Sequence, residues 1–130
     1  MINKIKLDNT SITLGNKSLI YLTDFIKDLC PTKIFILLDE NSRKYCLPIL
    51  LMAVPDLKNA HFIELDNGES AKTMNNLKVV CKSLLIHDVD RKSLIINLGG
   101  GVVCDLGGFA ASIIKRGVKF INIPTTLMSQ

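Results

Sequence analysis

From Lys33 onward the chain alternates between short apolar-rich runs and stretches in which apolar residues return every three or four positions. Lys33–Leu38, KIFILL, has no polar alternation after its first residue, the pattern of a strand buried on both faces. Ala60–Leu65, Ser93–Leu98 and Lys119–Ile123 are further strand candidates. Between them, Ser70–Ile86 reads as a helix with apolar positions at Met74, Leu77, Cys81, Leu84 and Leu85, and Val102–Ile114 as another. A helix also follows Asp39-Glu40-Asn41 through Leu50-Leu51, with Pro48 bending it or marking a late start. Upstream, Leu19, Leu22, Ile26 and Leu29 sit at helical spacing, and Pro31 stops that helix. Ile2–Leu14 alternates around Asp8-Asn9, as a hairpin or two edge strands would.

Strand and helix thus alternate at intervals of about 30 residues, which predicts a parallel α/β sheet with right-handed crossovers. In such a sheet ligands gather beyond the carboxyl ends of the strands. The polar residues suited to chemistry fall there: Asp39 and Asn41 after one strand, Glu69 and Lys72 after the next. Gly99, Gly100 and Gly101 follow a third, and Thr125 and Thr126 a fourth. Asn67-Gly68 is a turn signal.

The triple glycine admits two readings. A strand that opens through glycines onto a helix lets the backbone approach a pyrophosphate, with the first helical N–H groups facing the anion. It also serves as a tight strand-to-helix turn and nothing more. The G-x-G-x-x-G pattern is incomplete, because Cys104 stands at the last glycine position, and no G-K-[ST] is present. Asp105 is placed for a ribose hydroxyl or an amide, or for the dipole of its own helix. Glu69 and Lys72, three apart at the expected helix start, share a face as a ligand pair or a surface ion pair. Arg116 before Gly117 is either a helix-terminal cap or a clamp for phosphate or carboxylate.

Composition narrows the classes. At 130 residues, 48% hydrophobic and 22% charged, the chain is one domain with a normal core. Aromatics make up 5% and tryptophan is absent, which argues against a base-stacking surface for single-stranded nucleic acid. The net charge of +4 suits an anionic ligand, though the basic residues are scattered. Cys30, Cys46, Cys81 and Cys104 form no C-x-x-C pair and read as reduced thiols of a cytoplasmic protein. Met1–Gly15 has no apolar signal core, and Cys46–Val54 is too short to span a bilayer, so no membrane partner is expected. His61 and His87 lie in different elements, and no metal-ligand cluster appears.

GGGVVCDLGGFAASIIKRGVKFINIPTTLMSQ resembles the segment of the 3-dehydroquinate synthases written G-G-G-V-x-G-D-x-x-G-F-x-A-x-x-x-x-R-G-x-x-x-x-x-x-P-T-T-L-L-x-Q. Upstream, D-E-N at Asp39–Asn41 and N-G-E-S-A-K at Asn67–Lys72 match the same family in order and spacing. Cys104 replaces a glycine of that pattern and Met128 a leucine. The resemblance implies a Rossmann-like parallel sheet flanked by helices, with an N-terminal β-hairpin. The family's helical C-terminal domain would be absent, leaving residues 1–130 as a truncated NAD-binding domain. It implies NAD contacts at Asp39, Asn41, Glu69, Lys72, Gly100, Gly101, Val102, Asp105, Thr125 and Thr126. It implies a substrate-phosphate contact at Arg116, with no catalytic residue and no metal ligand in this chain. The family's zinc or cobalt would be held by one Glu and two His of the missing part.

For the full-length enzyme the resemblance implies an NAD- and divalent-metal-dependent carbon–oxygen lyase of the shikimate pathway. It would convert 3-deoxy-D-arabino-heptulosonate 7-phosphate to 3-dehydroquinate and phosphate, as a cytoplasmic homodimer that takes a sugar-phosphate substrate and no nucleic acid. The isolated chain is expected to be inactive. Three alternatives remain. One is another sugar-phosphate cyclase, of the 2-epi-5-epi-valiolone or 2-deoxy-scyllo-inosose synthase type. The second is a glycerol or iron-type alcohol dehydrogenase domain, which usually shows G-G-G-S-x-x-D followed by Ala-Lys, where this chain has Leu106-Gly107-Gly108 after Asp105. The third is a non-catalytic nucleotide-binding module.

Overall fold

A computed structural model describes residues 3–15, 17–126 and 130. Ile2 and Met128 therefore lie outside the described residues. Strands β1 (Asn3–Leu7) and β2 (Thr10–Leu14) form the antiparallel hairpin, with Ile5 opposite Ile12. Helix α1 (Ser18–Leu29) follows and ends at Cys30, whose backbone is left-handed (φ 48°), one residue before Pro31.

The main sheet holds β3 (Ile34–Asp39), β4 (His61–Leu65), β5 (Leu94–Gly99) and β6 (Lys119–Pro124), all parallel, in the order β4-β3-β5-β6. Side chains alternate across it with the period of two that strands impose. Phe35, Leu37, Ile63, Leu65 and Ile95 face one core with α4 (Met74–Ile86) and α5 (Gly101–Ile113). Ile36, Leu38, Leu94, Ile96 and Leu98 face the other, with Leu22 of α1 and Leu47 and Leu50 of α3 (Leu47–Ala53). Between β3 and α3 lies the short α2 (Glu40–Tyr45). Pro48 stands in the first turn of α3, where its missing N–H costs no helical bond, so it marks a late start and not a bend. Among the described residues no helix is long and apolar enough to cross a membrane.

Two expectations need correction around α4. The helix does not begin at Ser70. Glu69–Ala71 form a 3-10 turn, and α4 starts at Met74 behind Thr73, whose hydroxyl accepts from the Asn76 N–H at 3.1 Å. Its buried stripe is Leu77, Val80 and Leu84, while Met74 and Leu85 are exposed. The cause is phase: once the helix is anchored at Thr73, the i, i+3, i+7 row fixes which apolar residues turn inward.

Topology places the site. The connection leaving β3 through α2 and α3 packs on one face of the sheet, and the connection leaving β5 through α5 packs on the other. The strand order therefore reverses between β3 and β5, and a crevice opens beyond their carboxyl ends. Asp39 and Gly99 are the last residues of those two strands.

Candidate functional site at the carboxyl edge

The glycine turn is shaped differently at each position. A Cβ on Gly99 would press on Val103 of α5 at 2.8 Å, and one on Gly100 would approach Thr126 Cγ2 at 3.1 Å. These two glycines serve close packing inside the protein. A Cβ on Gly101 would meet nothing within 4 Å among the described residues, so that glycine faces open space between them. Gly100 is the N-cap of α5 and offers no side-chain cap, and Cys104 N–H is the first to reach back to the Gly100 carbonyl, at 3.0 Å. The preceding N–H groups of Gly101, Val102 and Val103 have no intrahelical acceptor. A helix of this length ending in uncapped N–H groups beside open space is chemically suited to an anion such as a pyrophosphate.

The loop after β6 closes over this turn. Gly99 and Pro124 are register partners, and Thr125 N–H donates to the Gly99 carbonyl at 2.9 Å. Thr125 and Thr126 thereby stand beside the glycines, with the Thr126 methyl against Gly100.

Asp105 of α5 meets Lys72, which stands between the Glu69–Ala71 turn and α4: Lys72 Nζ lies 2.6 Å from Asp105 Oδ2. The hydrogen bond that Lys72 donates to Asp105, reinforced by the carboxylate's charge, holds the Lys72 ammonium above the ordinary lysine range. Lys72 thus pairs with Asp105 and not with Glu69, which only adds negative charge nearby. Nor does Asp105 serve the dipole of α5, since no acid lies in the helix's first turn. Both partners remain about half exposed (44% and 56%), so the pair is a poor stabiliser of the fold but an available hydrogen-bonding edge. Beside it an open cleft of about 360 Å³ is lined by Lys72, Thr73, Met74, Leu77, Asp105, Leu106 and Phe109.

Asp39 has a role that the sequence reading missed. Its Oδ1 accepts the Ser42 N–H at 2.8 Å, and Ser42 Oγ accepts the Asp39 N–H at 3.0 Å, a reciprocal cap for α2. That leaves its second carboxylate oxygen for a ligand. Asn41 and Glu69 are exposed on the same edge.

Arg116 is not brought together with these residues. Helix α5 starts at the glycine turn and runs back to the amino edge of the sheet, about 20 Å away at 1.5 Å per residue. There Ile114–Arg116 make a 3-10 turn, Lys115 and Arg116 take left-handed backbones (φ 48° and 63°), and Gly117 follows at φ 109°. Arg91 Nε donates to the Lys115 carbonyl at 3.1 Å. Arg116 lies beyond the last turn of α5, in the last turn of the 3-10 segment that continues it, with Gly117 as the cap.

Cys104, the departure from the family pattern, points inward. Its thiol lies 3.7 Å from the Gly99 carbonyl, and burial pushes it up to about 11. Burial also raises Cys46 and Cys81, while Cys30 is exposed. Alkylation of the folded protein at neutral pH should therefore label Cys30 first and Cys104 last, as read by peptide mass. Early labelling of Cys104 would place its sulfur on the outside.

His61 stacks on Phe35 (centroids 5.2 Å apart) and lies 5.0 Å from the His87 ring, away from the crevice at the amino edge. Among the described residues no group of three or more His, Cys, Asp or Glu is arranged to hold a metal ion.

The family described as "3-dehydroquinate synthase N-terminal" matches residues 62–130. A 3-dehydroquinate synthase of Parabacteroides distasonis is 40% identical over 108 residues, covering 83% of this chain and 30% of the relative. One of Halalkalibacterium halodurans is 34% identical over 119 residues, covering 92% and 33%. The chain thus spans about a third of the length of the curated relatives it matches. Among solved structures, 2-deoxy-scyllo-inosose synthase superposes with a TM-score of 0.82 over 99% of this chain and 36% of its own, at 19% identity, a likeness of fold. The 2-epi-5-epi-valiolone synthase of Streptomyces hygroscopicus subsp. jinggangensis, with NAD+ and Zn2+ bound, gives a TM-score of 0.59 at 27% identity over 75% of this chain and 28% of its own.

Proposed function

This chain belongs to the 3-dehydroquinate synthase family, matching its N-terminal region, and from that membership we propose that it holds NAD for the conversion of 3-deoxy-D-arabino-heptulosonate 7-phosphate to 3-dehydroquinate and phosphate. The glycine turn opening onto uncapped α5, with Thr125 bonded across it, carries this reading. The free N–H groups of Gly101 and Val102 take the pyrophosphate, and Gly100 lets Thr126 close in beside it. Asp105 and Lys72 offer an acceptor and a donor to ribose hydroxyls. Asp39, Asn41 and Glu69 supply further polar groups on the same edge. NAD, when bound, accepts a hydride from a ring hydroxyl carbon and returns it after phosphate has left. The bound NAD+ of the valiolone synthase supports the cofactor, and identities of 34–40% to dehydroquinate synthases favour their substrate over those of other cyclases.

The described residues do not fit the zinc or cobalt that the family implies. This chain by itself, given NAD, zinc and substrate, should release phosphate no faster than the blank. Turnover above it would contradict the assignment of the chain as a cofactor-holding part only.

Arg116 serves the substrate phosphate in the site of a second copy. It stands one helix length from the cradle of its own protomer, so the contact requires a homodimer that brings the amino edge of one copy to the site of the other. The test uses a protein carrying this region at the relatives' full length. Arg116→Ala and Gly101→Val should each be inactive alone, and co-expressed as a mixed dimer they should regain one working site. A mixed dimer as inactive as its parents would place Arg116 in its own protomer's site, and an active Arg116→Ala parent would place it outside the reaction.

A further inference from the structure

Asn67-Gly68 is the only Asn-Gly step in the chain. Both residues are exposed, and a Cβ on Gly68 (φ 88°) would meet nothing within 4 Å. Asn67 Nδ2 donates to Glu40 Oε2 at 3.2 Å, in a cleft of about 350 Å³ that Glu64 and Asp66 also line. Directly after it comes the 3-10 turn, held by Ala71 N–H to the Gly68 carbonyl and Lys72 N–H to the Glu69 carbonyl, each at 3.0 Å.

We infer that Asn67 is a deamidation site whose product loosens the turn carrying Glu69 and Lys72. The Gly68 amide nitrogen gives up its proton and attacks Cγ of Asn67. A C–N bond forms, the Cγ–Nδ2 bond breaks, and ammonia leaves with the proton. Solvent water then opens the five-membered succinimide at either carbonyl. Opening at Cγ gives aspartate; opening at the main-chain carbonyl gives isoaspartate, with the backbone routed through Cβ and Cγ. The net change is amide plus water to carboxylic acid plus ammonia, with no oxidant or reductant.

Position favours this step at Asn67 over other asparagines. Glycine presents no side chain to hinder its nitrogen's approach, and the turn is open to water. Asn41 lies in α2, Asn75 and Asn76 lie in α4, and Asn97 is fully buried before Leu98. The aspartate product loses the donor to Glu40 and sets a carboxylate beside Glu40 and Asp66, where like charges repel. The isoaspartate product adds a methylene to the main chain just before Glu69. A weakened hold on NAD follows only if the proposed function is right; the modification itself does not depend on it.

The test ages the folded protein in mildly alkaline buffer and maps its peptides by mass, with Asn67→Gln alongside. Asn67 should gain oxygen in place of NH ahead of every other asparagine, and Asn67→Gln should show no change at that position. In the aged fraction the Ala71 and Lys72 amides should exchange hydrogen several-fold faster. Conversion at Asn67 no faster than at Asn41 or Asn97, or unchanged exchange after conversion, would overturn the proposal. NAD titration separates the two claims. A fresh protein that binds NAD and an aged one that binds it several-fold more weakly supports both. A fresh protein that binds none sinks the cofactor reading, while mass and exchange still decide this one.

Discussion

Gly107→Ala should destabilise the fold by about 2 kcal/mol, although alanine is the better helix former. On propensity alone the change in the middle of α5 would gain about 1 kcal/mol. The added Cβ, however, would overlap the side-chain amide of Asn97, which is fully buried on β5 beneath that turn of the helix. Overpacking of this kind costs about 1–3 kcal/mol, occasionally more, and backbone on one side and sheet on the other leave the amide little room to yield. Asn97 Nδ2 already donates to Asn122 Oδ1 at 2.9 Å, while its Oδ1 is buried with no partner among the described residues. With roughly 4 °C per kcal/mol for a domain of this size, the melting temperature should fall by about 8 °C. Asn97→Ala in the same chain should recover much of the loss, because removing the amide removes both the overlap and the buried unpaired oxygen. A Gly107→Ala protein that melts higher than the parent would mean that Asn97 does not sit under the helix as described.

Asn97 and Gly107 also mark what the sequence conveys poorly. An unbroken apolar run announced β3, because a strand buried on both faces needs no polar alternation, and apolar-rich runs interrupted by Glu64, Asn97 and Asn122 announced β4, β5 and β6. The parallel arrangement and the gathering of four loops at one edge followed from that. A polar residue inside LIINLG and a glycine inside a helix were each visible, yet their contact depends on the pitch of α5 over β5, which no local pattern encodes. The same limit explains α4. The apolar spacing alone set the start at Ser70, and only the 3-10 turn at Glu69–Ala71 and the Thr73 cap place it at Met74.

At the site, the glycine turn was legible because close packing demands glycine at Gly99 and Gly100, and the Thr125–Thr126 loop because it follows the end of a strand. The partner of Lys72 was not. Spacing suggested Glu69, three residues away, whereas packing of α4 beside α5 delivers Asp105. Asp39 was read as a ligand group alone, since its cap partner Ser42 does not fit the usual Ser/Thr–Glu/Gln box. Arg116 could be recognised as a residue of the motif, but its place on the amino edge emerges only when the length of α5 is laid against the sheet.

Whether the open side of the glycine turn receives NAD is decided by Gly101→Val. Gly99 and Gly100 are unsuitable probes, because a side chain at either would strain the protein itself. Gly101 has free space where a side chain would stand and no left-handed backbone, so valine there should leave folding intact or strengthen it by a few tenths of a kcal/mol. What the branched Cβ removes is room for an anion against the first N–H groups of α5. Calorimetric titration with NAD, alongside thermal melts, should show binding to the parent and a loss of affinity of tenfold or more, ~1.4 kcal/mol, in Gly101→Val at an unchanged melting temperature. Equal affinities in two equally stable proteins would contradict the claim.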